Sequence, residues 1–285
     1  MSARPLLALL DALPATDGAG VELLRAIGQP ALMELDPFLL LDAFRSDRPE
    51  EYIAGFPDHP HRGFETVTYL LEGRIRHRDS AGHEGVIEPG GLQWMSAGSG
   101  VVHSEMPEQR NGLLQGFQLW INLPARHKMD PPAYQEFSAE QIPQERRPGT
   151  VIRVIAGKTR NGTRGPIEQA LTDPLYFDIE LEPGTGFEES LPAGHNAFLF
   201  GIDGSLDLPA GQEPLTRDRL AVLGPKGDFH ARAGDTGARF LLVAGKPLGE
   251  AVVRGGPFVM NTQEEIRQAF EDYRSGQMGR MDSVV

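Results

Sequence analysis

Two short segments of the sequence carry side chains that could together hold a metal ion. The first contains His59 and His61, two residues apart, and the second repeats this spacing with His103 and Glu105. On a β-strand, residues i and i+2 project from the same face, so each pair could bind one ion. One His-x-His pair alone is weak evidence, but two such pairs in one small β domain are much harder to dismiss as surface residues.

The donor types indicate which ions these two pairs would accept. Imidazole together with carboxylate suits iron, manganese, cobalt, nickel, copper or zinc. Four protein ligands on an ion that prefers six leave two positions open, and open positions indicate a metal that binds a substrate or dioxygen rather than a purely structural one.

The elements that must position these pairs are predicted to be β-strands. Short β-branched or apolar runs recur along the chain and end at turns that contain glycine or proline. Examples are the segments 66–71, 117–121, 151–155 and 240–244. Runs of this length between such turns are typical of a β-sandwich or barrel.

One helix is predicted, at about residues 262–275. Apolar residues recur there at i, i+3, i+4 and i+7, beginning at Ile266, which is typical of a helix that buries one stripe. Thr262 and Glu265 have the spacing of a capping box at its start. The chain is therefore predicted to be all-β with a short C-terminal helix.

A domain boundary is predicted in the proline-rich, polar stretch after residue 129. It divides the chain into a metal-binding domain at 1–130, a connecting segment at 131–149 and a second domain at 150–285. The two halves look like weak repeats, because residues 69–73 (YLLEG) resemble residues 200–204 (FGIDG) at an offset of 131. The pattern favours duplication of one β domain.

The composition restricts the functions that are open to this chain. It has 285 residues with 27 Lys and Arg against 40 Asp and Glu, a net charge of −13, which disfavours direct binding to nucleic acid. It has no cysteine, so disulfides, thiolate metal sites and cysteine nucleophiles are excluded. No apolar run approaches the ~18 residues that span a bilayer. We therefore expect a cytoplasmic protein without membrane contact, and a monomer, since no strong interface signal is evident.

The two histidine segments resemble the motifs of the cupin superfamily. The first cupin motif has His-x-His followed by Glu, here residues 59–61 and Glu65, and the second has a glycine-rich turn and then His, here residues 98–100 and His103. One departure is that the usual proline of the second motif is missing, and Glu105 lies just past the last histidine.

A closer resemblance is to the pirins, a bicupin family. The matching strings lie at residues 35–42, 59–69, 93–95, 103–105, 119–124 and 255–262. The resemblance implies two tandem cupin (jelly-roll) β-barrel domains, with one iron in the N-terminal domain. Carried onto this sequence, its ligands are His59, His61, His103 and Glu105. The resemblance assigns the carboxylate role to Glu105 instead of Glu65, the ligand of more typical cupins.

The second domain is expected to hold no metal. At the offset of 131, Ser190 and Pro192 stand in place of the His-x-His pair, and His195 and His230 are isolated. Both histidines are predicted to be ordinary loop or strand-end residues. The resemblance agrees, since the C-terminal cupin of pirins usually lacks metal.

Three residues near the proposed ligands have other interpretations. Glu65 could orient a ligand histidine or could make a structural hydrogen bond, and both remain open. His77 lies in the alternating charged run at 74–79, so this residue and His83 are predicted to lie on the solvated surface.

The resemblance implies two alternative functions. The first is a quercetin 2,3-dioxygenase-like oxidoreductase, with one divalent transition metal, Fe(II), that opens a flavonol-like aromatic substrate with dioxygen. Glu105 would then be both a ligand and the general base. The second is a non-enzymatic, iron-dependent redox regulator that binds a protein partner. A pocket of small-molecule size at the metal would favour the enzyme, and a flat or charged surface around a narrow opening would favour the regulator.

Overall fold

Most of the regular structure in the chain is β-strand, and the computed structural model describes residues 4–167, 171–208 and 213–281. The strands of the first half are β1 (Leu6–Asp11), β2 (Leu13–Asp17), β3 (Val21–Ile27), β4 (Phe38–Ser46), β5 (Phe56–His61), β6 (Phe64–Glu72), β7 (Ile75–Asp79), β8 (Glu84–Ile87), β9 (Leu92–Ser96), β10 (Val101–Pro107), β11 (Leu114–Asn122) and β12 (Ala133–Phe137). Those of the second half are β13 (Gln144–Arg147), β14 (Thr150–Ala156), β15 (Leu175–Leu181), β16 (Gly186–Glu189), β17 (Asn196–Asp207), β18 (Leu215–Thr216), β19 (Arg219–Leu223), β20 (Phe229–Gly245), β21 (Val253–Gly255) and β22 (Phe258–Met260). Short 3₁₀ helices lie at Pro49–Glu51, Ala125–His127 and Ala139–Gln141, and helix α1 spans Gln263–Ser275. The predicted all-β class is confirmed.

The chain forms two compact units, and neither is continuous in sequence. Within the described residues, the unit that we call the histidine unit comprises 14–28, 38–139 and 249–281. The unit that we call the apolar unit comprises 4–13, 29–37 and 140–248.

These units differ from the linear domains predicted at 1–130 and 150–285, whose outermost residues 1–3 and 282–285 lie outside the described residues. Strand pairing is the cause at the N-terminus, because β1 pairs with β19. At the other end, the segment 249–281 packs its apolar residues in one cluster with Val102 of β10.

The histidine unit consists of two antiparallel sheets. The seven-stranded sheet has the order β12-β9-β6-β11-β4-β3-β2, and the four-stranded sheet has the order β5-β10-β7-β8. The sheets meet face to face, since Thr68 of β6 donates a hydrogen bond to Glu105 of β10 (Oγ1–Oε1, 2.7 Å). The predicted jelly-roll architecture is confirmed, although the two ladders do not close into one hydrogen-bonded barrel among the described strands.

The apolar unit repeats this topology strand by strand. Its main sheet has the order β1-β19-β17-β20-β15-β14-β13. Strand β16 pairs with β20 and β18 pairs with β17, so these two long strands serve both layers. The similar segments 69–73 and 200–204 lie on β6 and β17, the third strand of each order, and both end at a glycine with positive φ. The topology therefore agrees with the predicted duplication.

The connecting segment predicted at 131–149 supplies an edge strand to each unit. β12 pairs with β9 at one edge of the histidine unit, and β13 pairs with β14 at the edge of the apolar unit. β12 is the edge strand next to β9 in the histidine unit. In the apolar unit, β1 is the corresponding edge strand, next to β19.

Helix α1 has the predicted position and capping. Thr262 accepts a hydrogen bond from the backbone N–H of Glu265, and the Glu265 carboxylate accepts one from the backbone N–H of Thr262. The helix ends at Gly276, whose φ of 81° is the left-handed conformation that favours glycine. No helix in the described part of the chain is long and apolar enough to cross a membrane.

Candidate metal centre

Three histidines converge between β5 and β10. His59 lies directly opposite His103 in the antiparallel ladder of these strands, and His61 follows two residues after His59. The Nε2 atom of His59 is 3.0 Å from Nε2 of His61 and 2.9 Å from Nε2 of His103. Ring nitrogens of all three lie within 4.8 Å of one another. The structure thus brings together the three histidines that the i, i+2 spacing selected.

Backbone carbonyls fix the tautomers of the first two histidines. Nδ1 of His59 is 2.8 Å from the carbonyl oxygen of Pro57, and Nδ1 of His61 is 3.2 Å from that of Pro257. A carbonyl oxygen can only accept, so both Nδ1 atoms carry the hydrogen and both Nε2 atoms present a lone pair. Two lone pairs therefore face each other at 3.0 Å.

This arrangement fits a bound cation, because facing lone pairs repel unless a positive charge lies between them. Two imidazole nitrogens bound at about 2.1 Å and at a right angle to one ion would lie about 3.0 Å apart. A proton is a poor substitute, since burial lowers the pKa of both His61 and His103 well below 6.5, and the neighbouring imidazole of His59 lowers it further. Neutral, convergent imidazoles are the donors that divalent transition metals prefer.

Glu105 lies in the same cavity wall and is held by two polar side chains. Its Oε1 accepts a hydrogen bond from Thr68 (2.7 Å) and its Oε2 accepts one from Gln118 Nε2 (3.1 Å). The ladder of β10 with β5 shifts register between His103 and Glu105. Among the described residues, the cluster within 4.8 Å comprises the three histidines without Glu105, so its role as the fourth ligand stays a prediction.

Glu65 is buried on β6 but faces away from the cavity. Strand alternation places it on the face of β6 opposite Thr66 and Thr68, and Thr68 is the residue that pairs across the sheet with the cavity-lining Gln118. Of the two interpretations of Glu65, this position favours a structural role.

A cavity of about 660 Å³ opens at the histidines. Its lining includes His59, His61, Glu105, Phe44, Phe56 and Trp120. Arg25 and Asp42 also line it and form a bidentate pair (2.8 and 2.6 Å), and the hydrogen bond to Asp42 raises the pKa of Arg25 above its ordinary value. The volume lies in the range of small-molecule sites, which is the feature that the enzyme hypothesis predicted.

The C-terminal segment closes over the turn that follows His61. Lys128, only 1% exposed, donates from Nζ to the carbonyl oxygens of Gly63 (2.6 Å) and Val259 (2.9 Å). Arg62 forms an ion pair with Asp272 of α1 (2.7 Å). At Gly63, a Cβ atom would lie 2.0 Å from the carbonyl oxygen of Val259, so only glycine permits this approach.

The surface prediction for His77 is wrong. The charged run does alternate on β7, but His77 belongs to its inner face and is 0% exposed. Tyr134 from β12 stacks on its ring at 4.9 Å between centroids. Burial acts to raise the pKa of Asp79, yet hydrogen bonds from His77 and His83 outweigh it and lower that pKa to about 2. The sequence signal was the alternation itself, which places His77 and Asp79 on one face.

The apolar unit contains a different set of potential ligand atoms. Glu188, Asp228 and His230 lie close together there and are partly or fully exposed, and Glu188 is paired with Arg160 at 3.0 Å. The expectation that this unit holds no metal stays a prediction.

Fold and site together define a cupin-type protein with a histidine cluster that fits a metal. Family models match residues 20–121 ("Pirin") and 176–279 ("Pirin C-terminal cupin domain"). The "Pirin-like protein" of Caulobacter vibrioides is 52% identical over 278 residues, 97% of this chain and 99% of its own length. The chain belongs to the pirin family.

Solved structures have the same fold. A crystal structure of quercetin 2,3-dioxygenase from Acinetobacter baumannii is 32% identical, with a TM-score of 0.89, and the match covers 99% of this chain and 100% of that one. The bacterial pirin YhhW from Escherichia coli, in complex with nickel(II), is 18% identical with a TM-score of 0.66, over 84% and 98% of the two chains. The second likeness shows the fold alone.

Proposed function

We propose that this protein is a metal-dependent dioxygenase that opens flavonols such as quercetin with dioxygen. The observation that carries the proposal is the cavity of about 660 Å³ lined by His59, His61 and Glu105. The 32% identity to a quercetin 2,3-dioxygenase across the whole chain supports the substrate class. Cytoplasmic location and a monomeric state are proposals from the sequence.

The residues that would hold the metal are His59, His61, His103 and Glu105. We propose one Fe(II) ion at this place. When bound, such an ion supplies Lewis-acid chemistry that stabilises a deprotonated substrate hydroxyl and supports reaction with dioxygen.

The apolar wall of the cavity would bind and orient the flavonol. Phe44, Phe56 and Trp120 offer aromatic surface to a flat aromatic ligand. Trp120 is itself held between rings, with its centroid 5.1 Å from that of His61 and 4.3 Å from that of Phe64. A flavonol packed against this wall excludes water from the end of the cavity where the histidines lie.

Glu105 would receive the proton of the flavonol hydroxyl. Its two carboxylate oxygens are held by Thr68 and Gln118, which keeps the base in one orientation during the transfer. The deprotonated flavonol then takes up dioxygen, its central ring opens, and carbon monoxide leaves.

The geometry supports the enzyme better than the redox regulator. The regulator hypothesis predicted a flat or charged surface around a narrow opening. His59 and His61 instead border a cavity with aromatic walls and a volume of about 660 Å³.

The test is carbon monoxide release and quercetin loss under dioxygen, with Fe(II)-loaded protein of counted metal content. His61→Ala controls for oxidation by free iron, and His230→Ala is the matched control in the apolar unit. We expect turnover in the wild type and in His230→Ala, and none in His61→Ala. No turnover at full iron occupancy would overturn the proposal and favour a regulator that binds a protein partner.

A further inference from the structure

A chain of three buried side chains leads from His103 away from the cavity. Nδ1 of His103 is 3.4 Å from Nδ1 of His77, and Nε2 of His77 is 3.3 Å from Oδ2 of Asp79. His103 and His77 are 0% exposed and Asp79 is 8% exposed. Among the described residues, the lining of the cavity includes neither His77 nor Asp79.

The carboxylate at the end of this chain determines where each hydrogen lies. The Asp79 carboxylate only accepts, so Nε2 of His77 carries a hydrogen and donates it. Nδ1 of His77 is then a lone pair, which requires Nδ1 of His103 to donate. The remaining nitrogen of His103, Nε2, is therefore a lone pair, and it points at Nε2 of His59 at 2.9 Å.

We propose that Asp79 and His77 are positioning residues that fix the tautomer of His103, so that its Nε2 joins those of His59 and His61 as a metal ligand atom. Carbonyl oxygens perform this task for the other two histidines, whereas a side-chain relay performs it for His103. The inference concerns metal binding at the proposed site and does not depend on the dioxygenase reaction.

Tyr134 protects the relay from water. Its ring stacks on His77 with 4.9 Å between centroids and on His83 with 5.0 Å. Its hydroxyl is engaged by Gln93 (3.2 Å) and Glu136. The relay therefore lies under an anchored aromatic lid, where no solvent donor competes for Nδ1 of His77.

Backbone contacts of Asp79 make one substitution especially informative. Its Oδ1 accepts from the backbone N–H groups of Ala81 (2.9 Å) and His83 (3.0 Å). In an Asp79→Asn variant these two donors hold the amide oxygen at the Oδ1 place. The amide NH₂, which has two hydrogens, then faces both Nε2 of His77 (3.3 Å) and Nδ1 of His83 (2.9 Å). His77 must then accept at Nε2 and donate at Nδ1, so His103 accepts at Nδ1 and carries its hydrogen at Nε2. The turn is preserved while the ligand lone pair is lost.

The experiment measures Co(II) affinity by chelator competition and the tautomer of His103 by ¹⁵N NMR of the metal-free protein. We expect Asp79→Asn to bind Co(II) about 10- to 100-fold more weakly and to move the hydrogen of His103 from Nδ1 to Nε2. Glu84→Gln is the matched control, since Glu84 is an exposed carboxylate on the neighbouring strand, and it should bind Co(II) like the wild type.

His77→Phe provides a second route that leaves the Asp79 turn intact. A phenyl ring can keep the stack with Tyr134 but offers no acceptor to His103, so we again expect weaker Co(II) binding. Wild-type affinity in His77→Phe, or an unchanged His103 tautomer in a folded Asp79→Asn, would overturn the proposal. Both readouts are independent of quercetin turnover. A protein that shows the expected changes in Co(II) affinity and His103 tautomer but does not turn over quercetin would contradict only the proposed function.

Discussion

The two units share one strand order but fill their interiors with opposite chemistry. Thr68 and Leu199 are equivalent positions, because each comes directly before one of the similar segments 69–73 and 200–204. In each unit, a row of residues paired across neighbouring strands runs through this position. In the histidine unit the row is Arg25, Asp42, Gln118, Thr68 and Gln93. In the apolar unit it is Val154, Phe177, Leu242, Leu199 and Ala221, all members of one buried cluster.

The smaller sheet of the histidine unit, β5-β10-β7-β8, and its counterpart, β16-β20-β17-β18, also differ in having polar residues in one and apolar residues in the other. Its ladders begin at the pairs Val101–His61 and Phe229–Glu189, which sets the correspondence. Counting from these pairs, the places of His59, His103, Glu105 and His77 are taken by Phe187, Ala231, Ala233 and Leu206. One backbone design therefore accommodates either a polar cavity or a packed core, and side chains at a few inward positions decide between them.

The apolar and polar interiors of the two units should contribute differently to the free energy of unfolding. Burying an apolar side chain such as Phe187 contributes roughly 1.5–3 kcal/mol, whereas a buried polar group is costly unless it is hydrogen-bonded. The histidine unit meets this condition with paired groups, such as Arg25 with Asp42 and Thr68 with Glu105. The apolar unit thus supplies packing stability, and the histidine unit gives up part of it for a site.

The largest effect should come from removing the proposed ligand His61, compared with Ser190, which stands at the offset of 131 from the other histidine of the pair, His59. His61→Ala removes one of three convergent nitrogens, so metal affinity should fall by more than about 100-fold. This exceeds the loss of about 10- to 100-fold that is typical when a residue that only orients a ligand is replaced. Ser190→Ala should leave metal content unchanged. Metal content after dialysis decides the matter, and full retention in both His61→Ala and Glu105→Ala would refute the assigned site.

The free energy of unfolding should depend more on the apolar unit than on the histidine unit, as tested at the equivalent positions Phe187 and His59. Phe187 is buried among Phe229 and Phe240, so Phe187→Ala should lower the free energy of unfolding by about 3–5 kcal/mol. His59→Ala in the metal-free protein borders a cavity already present and should cost less than about 1 kcal/mol. Urea unfolding measures both, and equal costs would remove the contrast between a packed and an open interior.

In each unit a buried cationic side chain binds the turn after the edge strand of the smaller sheet, which is β5 in the histidine unit and β16 in the apolar unit. Lys128 precedes β12 and binds the carbonyl of Gly63, while Arg4 precedes β1 and donates to the carbonyls of Pro192 and His195 (2.6 and 3.0 Å). Lys128→Met and Arg4→Met each leave buried acceptors unpaired, so each should destabilise by about 2–3 kcal/mol. Only Lys128→Met should also weaken metal binding, as measured by chelator competition; an equal loss in Arg4→Met would contradict this division.

Lys128 should also give the histidine unit a distinct pH response. Burial lowers its pKa to about 8, from 10.5 for an ordinary lysine. Between these values the unfolded chain binds more protons than the folded one, and stability rises with pH wherever that holds. Unfolding free energy should therefore gain a rising contribution from about pH 8 to 10.5 that Lys128→Met lacks. The same slope in both proteins would assign it to another group.

The smallest effect concerns two threonines on one face of β6. Thr68→Val removes a donor from Glu105, which should lower kcat for quercetin by up to about tenfold, since a hydrogen bond to a charged group contributes about 1.5 kcal/mol. Thr66 has the same orientation, but its hydroxyl is buried without a hydrogen-bond partner among the described residues. Thr66→Val should therefore leave kcat unchanged, and a matching loss there would show that Thr68 acts only through packing.

The same-face pair His59 and His61 was predictable from sequence because its geometry is local, whereas the approach of His103 to His59 depends on the pairing of β10 with β5 across 44 residues. Spacing of i, i+2 on a strand fixed which side chains share a face, and the glycine-rich turn before His103 marked the second strand. The helix was predictable because its signals are local, since its capping box and its apolar stripe both lie between Thr262 and Tyr273.

The rest of the site depends on strand register, which one sequence does not specify. Thr68 meets Gln118 across 50 residues and Glu105 across 37, so their triad follows only from the pairing of β6 with β11 and β10. His77 was assigned to the surface because the strand that covers it, β12, comes from a segment whose prolines indicated a connection.

The carbonyl that orients His61 belongs to Pro257, 196 residues further along the chain. A ribosome that adds about 5–20 residues per second delivers Pro257 roughly 10–40 s after His61. For most of that interval the nascent chain already contains all three histidines, yet the Pro257 carbonyl that orients the ring of His61 has not been made. We therefore expect a tight metal site to form only after residues 249–281 have been made and have closed on the turn.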